Sequence, residues 1–109
     1  MRDYELMYIA RPDLDEEANR SLLDRIQKAI ADKGGVVQQV DVWGRRRLAY
    51  EIAGQREGHY TVLQFRSQPA AVHELERLLS LTDTVLRHLI VQREKVGQPD
   101  TVAERPISR

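Results

Sequence analysis

The chain has 109 residues, 41% of them hydrophobic and 6% aromatic, which fits one domain with a modest core and excludes two full domains. Lys+Arg and Asp+Glu each number 17, so no bulk positive field draws the chain to a polyanion, and any phosphate contact must come from locally clustered charge. The absence of cysteine removes disulfides and thiolate chemistry and suits a reducing compartment, while a charged start and no run near the ~20 apolar residues of a membrane span make a cytoplasmic, membrane-free setting the expectation.

In chain order, Tyr4, Leu6, Tyr8 and Ala10 alternate with Glu5, Met7 and Ile9, a period of two that predicts a strand over 4–10. Arg11-Pro12-Asp13 ends it. Asp13 or Asp15 can cap a following helix in which Ala18, Leu22, Ile26, Ala29, Ile30 and Lys33 step by three or four, and Gly34-Gly35 closes it. Val36 to Ile52 reads as one long strand bent at Gly44. A polar turn is expected at 54–58, followed by a hairpin partner over 59–66 with Leu63 and Phe65 opposite Tyr60, Val62 and Gln64. Ser67-Gln68-Pro69 reads as a helix start ahead of Val72, Leu75, Leu78 and Leu79. Val85 to Val91 is a fourth strand, and residues 96–109, with two prolines and few apolar residues, are expected to be a flexible tail after a domain over 1–95.

Strand, helix, strand, strand, helix, strand is the order of an α+β, ferredoxin-like βαββαβ fold, a four-stranded antiparallel sheet with two helices on one face. Two helices leave the other face bare. Met7, Ile9, Tyr60, Val62, Leu89 and Val91 would lie on it as an apolar patch for a protein partner, or else be scattered and shielded by long polar neighbours. The densest charge is Arg45-Arg46-Arg47, in a stretch from 41 to 67 that holds five basic and three acidic residues against six and eight over 1–40. Guanidinium groups fork onto phosphates and stack on rings, which suits an RNA backbone; the competing reading is a charged edge strand that resists sheet pairing. Arg2, Arg87 and Arg93, assigned to the first and fourth strands as the central pair of the sheet, would extend a basic surface; a locally paired or snorkelling side chain is the alternative for Arg87.

Enzymatic readings find little support. His59, His73 and His88 match no metal-ligand spacing and have no nucleophile or paired carboxylate beside them, so neither metal nor other cofactor is expected. An acylphosphatase of this architecture would need a catalytic amide near a phosphate-cradling loop, but the single Asn, Asn19, falls on the first helix. The stretch 59–65 has a faint likeness to the third-strand motif of RNA-recognition domains, with the wrong aromatic spacing. A metabolite-sensing regulatory domain of the same architecture is a competing class, and the polar pocket beside a helix-start glycine that it would need is not legible.

Five strings carry a likeness to a known family: Met1-Arg2-Asp3-Tyr4-Glu5, Arg11-Pro12-Asp13, Trp43-Gly44-Arg45-Arg46-Arg47-Leu48-Ala49-Tyr50, Gly58-His59-Tyr60, and Thr82-Asp83-Thr84-Val85-Leu86-Arg87. The chain resembles the ribosomal protein six family of the bacterial small subunit, over residues 1–95. The resemblance implies a non-enzymatic, ribosome-associated structural protein. It also implies pairing with the eighteenth small-subunit protein as a heterodimer that binds small-subunit ribosomal RNA during assembly of its central domain, with no small-molecule substrate. Arg2, Arg45, Arg46, Arg47 and Arg87 then become RNA or partner contacts, and Tyr4, Leu48 and Tyr50 packing positions. The chain departs from the family pattern at Glu51, where relatives commonly carry Pro.

Overall fold

The computed structural model describes residues 1–93; the tail expected over 96–109 lies outside the described residues. The elements are β1 (Arg2–Ala10), α1 (Glu16–Asp32), β2 (Val36–Ile52), β3 (Gln55–Ser67), α2 (Pro69–Ser80) and β4 (Val85–Gln92). All sheet neighbours are antiparallel, in the order β2-β3-β1-β4. β1 and β3 are therefore the central pair, and β4, expected at the centre, is an edge. The reason is the two crossovers: each βαβ unit must leave room for one strand of the other unit between its own two.

Local signals set most boundaries. The Asp15 carboxylate accepts the Ala18 amide at 2.8 Å, starting α1 with Glu16 and Glu17 in the first turn, where the helix dipole favours negative charge. Pro69 opens α2. Leu22, Ile26 and Ile30 of α1 and Leu75 and Leu79 of α2 pack against Tyr4, Leu6, Tyr8, Ala10, Leu63 and Phe65, the main core. Here the period of two on the strands meets the helical spacing of three and four.

The hairpin turn is shorter than expected. Ala53 and Gly54 both have positive φ, 50° and 79°, and Ile52 pairs with Gln55, so a two-residue turn replaces the polar turn predicted at 54–58. Two left-handed residues twist the chain as the flanking strands twist, and Gln55 to Gly58 is freed to continue β3.

β2 is one strand, as expected, with irregular pairing. Trp43 is an extra residue between the Val42–Thr61 and Gly44–Tyr60 pairs, and Gly44 has φ 86°. Further on, Arg47 pairs with Glu57 and Ile52 with Gln55, so the four residues 48–51 stand opposite Arg56 alone. The chain arches there, with Glu51 continuing the strand. The arch sets Leu48 on the helix-free face, where Leu48, Met7, Ile9, Tyr60 and Val62 form a second buried cluster with Trp43, Ile52 and Leu86 at its margin.

This corrects the expectation of an open apolar patch. Met7, Ile9, Tyr60 and Val62 are buried within the chain by its own hairpin; Leu89 remains 45% exposed and Val91 half-buried. Gly58 makes the fit possible, because a Cβ there would run into the Ile9 side chain and the Ala10 carbonyl. Leu86 is the extra residue where the β1–β4 register shifts between Ile9 and Ala10, and it joins the second cluster.

Truncating Leu48 removes the lid of this cluster. Leu48→Ala is expected to lower unfolding free energy by about 2–3 kcal/mol, read by urea denaturation, and an unchanged midpoint would mean that the arch does not cover the face.

Candidate functional site

The three adjacent arginines have different surroundings. Arg45 is held: its Nε lies 2.9 Å from Glu57 Oε1, and its Nη2 donates to the Pro12 carbonyl at 3.4 Å. Arg46 lies over the Trp43 ring, with Cζ 5.2 Å from the centroid, and Trp43 in turn stacks on Tyr60 at 6.2 Å and 10°. Arg47 is exposed, and its side chain makes no ion pair or hydrogen bond among the described residues. One charge of the triplet is thus paired with a carboxylate at the surface, and the other two carry no such partner among the described residues.

The arch links this run to β4. Tyr50, expected to be a packing residue like buried Tyr4 and Leu48, is instead 59% exposed, and the Arg87 guanidinium lies 5.4 Å from its ring centroid. Arg87 pairs in register with Ile9, and Arg45 with His59, which itself pairs with Ala10, so both lie toward the same end of the sheet. Beneath the arch runs a groove of about 370 Å³ lined by Met7, Leu48, Tyr50, Tyr60, Arg87 and Leu89, among others. It is apolar in its floor and cationic at its rim.

Arg2 and Arg93 do not join this group. Arg2 begins β1 and donates to Gln92 Oε1 at 3.4 Å; Arg93 lies just past β4, its amide donating to the Asp3 carbonyl at 2.7 Å. At roughly 3.3 Å per residue, the length of β1 separates them from the arginines above by about 25 Å.

Burial and distance place the other residues singled out above. Tyr60 is buried under Trp43, so its ring has no free face on which a base could stack. His59 and His88 are half-buried and His73 is exposed; among the described residues no group of three or more metal-ligating side chains comes together. No described helix is long and apolar enough to cross a membrane. The residue that sequence reasoning passed over is Trp43, whose signal was its place beside Gly44, the bulge position.

A protein-family model described as Ribosomal protein S6 matches residues 3–92. The chain belongs to the ribosomal protein S6 family. It is 46% identical over 94 residues to the small ribosomal subunit protein bS6 of Desulforudis audaxviator, covering 86% of this chain and all of that one. It is 44% identical over 95 residues to the bS6 protein of Clostridium perfringens strain 13, covering 87% and 100%. The crystal structure of 30S ribosomal protein S6 from Thermotoga maritima superposes with TM-score 0.84 at 33% identity, over 95% of this chain and 98% of that one. The C-terminal domain of the MgtC protein from Mycobacterium tuberculosis, with TM-score 0.59 at 17% identity over 90% and 94%, shares the fold alone. Membership makes the chain a ribosomal protein with a structural role. Its relatives are components of the small subunit, cytoplasmic in bacteria, and are not enzymes.

Electrostatics in the stack can be measured directly. Burial pushes the Tyr60 phenol above the ordinary tyrosine range, and the nearby Arg46 charge pulls it back. Burial likewise raises Tyr8, with side-chain hydrogen bonding to Thr61 opposing it. A phenol raised on folding favours the neutral form, so the stability it contributes is complete below the unfolded tyrosine pKa and is lost as pH rises through the folded one. Arg46→Ala is expected to raise the Tyr60 pKa further, seen by alkaline ultraviolet titration; an unchanged value would put Arg46 away from the phenol.

Proposed function

We propose that this S6-family chain binds small-subunit ribosomal RNA jointly with the eighteenth small-subunit protein during assembly of the central domain. Arg46, Arg47 and Arg87 supply its cationic contacts. The observation that supports this most is the uncompensated Arg46 guanidinium, set over Trp43 on the face that carries the apolar groove of an electroneutral chain, with a second uncompensated cation, Arg47, next to it on β2. Local cations position a phosphate backbone without sequence reading, while the apolar floor with Leu89 and Val91 suits a protein surface. A module of zero net charge gains little from bulk attraction, so the companion protein must add its own positive charge. Arg45, spent on Glu57 and Pro12, holds the hairpin against the loop after β1. Arg2 and Arg93, at the far end of the sheet, form a second and smaller cationic group.

Filter binding of a central-domain ribosomal RNA fragment tests the division of labour. The isolated chain is expected to bind weakly and the mixture of both proteins tightly; tight, salt-sensitive binding by the chain alone would overturn the shared mode. In the mixture, replacing Arg46 and Arg47 by Ala should weaken binding roughly tenfold or more and lower the log–log salt slope by about two. Unchanged affinity and slope would remove the pair from the interface.

A further inference from the structure

We infer that Trp43 is a positioning residue that fixes Arg46 on the helix-free face, making Arg46 the preorganised phosphate contact of the arginine run. This rests on the proposed RNA-binding reading and refines it. An arginine on an exposed strand otherwise samples many rotamers and loses that freedom when it binds. Here the freedom is already restricted. The bulge at Trp43–Gly44 sets the indole on the same face as Tyr60, the near-parallel stack on the buried Tyr60 ring holds it, and the Arg46 guanidinium lies over the indole ring. Tyr60 is itself packed among Met7, Ile9, Leu48 and Val62, so the guanidinium stands on a column that reaches into the second core cluster.

Neither neighbour is held this way: Arg45 is turned to Glu57 and Pro12, and the Arg47 guanidinium has no ion-pair or hydrogen-bond partner among the described residues. A cation over an indole gains electrostatic attraction to the ring and keeps its N–H edge free to fork onto two phosphate oxygens. The three arginines therefore divide into a clamp, a preset contact and an unrestrained one.

A double-mutant cycle on the complete chain, mixed with the eighteenth small-subunit protein and a central-domain RNA fragment, tests the assignment. Trp43→Leu should weaken RNA binding roughly threefold to tenfold, leaving the salt slope nearly unchanged because the Arg46 charge remains. Trp43→Phe, which keeps a ring, should restore most of the affinity. Arg46→Ala should lower both affinity and slope, and Trp43→Leu added to Arg46→Ala should cost little more. Lys28→Ala, on the outer side of α1, serves as the control for loss of one charge. If Trp43→Leu weakens binding equally with and without Arg46, or if Trp43→Phe is as weak as Trp43→Leu, the indole is only structural and the inference fails. If Arg46→Ala itself changes neither affinity nor slope, the phosphate-contact reading fails instead.

Discussion

The close approach of the β2–β3 hairpin to β1 is the constraint from which the rest of this molecule follows. Gly58 has no side chain to hold the strands apart, so Ile9 and Leu48 meet above it. With a larger residue there, the strands would have to separate or the side chains leave their rotamers, at the cost typical of an overfilled core. The arch of residues 48–51 then closes over Met7 and Ile9, and a sheet with helices on one face acquires a small second core on the other. The groove, the Tyr50–Arg87 contact and the column under Arg46 all stand on that closure.

Burial on both sides of β1 follows from the same geometry. Tyr4, Leu6, Tyr8 and Ala10 face the helices, and Met7 and Ile9 face the arch, so every residue from Tyr4 to Ala10 is buried. Such a strand can afford little sequence freedom on either face, whereas the edge strands carry the charge and the exposed apolar residues. Val36 and Val42 of β2 and Leu89 of β4 are exposed, while the arginine run occupies the bulged and arched half of β2. Charge and irregular pairing both discourage another sheet from adding to that half. The edge-protection reading of the arginines and the contact reading are thus compatible: a guanidinium that blocks strand addition is also one that solvent or a phosphate can reach.

The likeness to a domain of a different protein at 17% identity shows how little the architecture says about activity. What distinguishes this chain is local. A compensated arginine, a stacked one and an unpaired one follow one another on a single strand, with an aromatic column beneath the second. Such differences arise from the pleat and the bulge, which aim neighbouring side chains in different directions and give each its own partners.

By itself the sequence determined the element order, an aspartate cap at 13 or 15, the bend at Gly44, the helix-facing core from Tyr4 to Phe65, and the family, because periodicity, turn residues and a specific strand-two string are local properties of a chain. Only the tertiary structure decided that β4 is an edge, that Met7, Ile9, Tyr60 and Val62 are covered by their own hairpin, and that Tyr50 reaches Arg87 while Arg2 and Arg93 stay at the far end. It also separated the three arginines, which are indistinguishable as letters. Those outcomes depend on register shifts and close approaches between strands distant in sequence, where one extra residue in a bulge redirects every side chain after it.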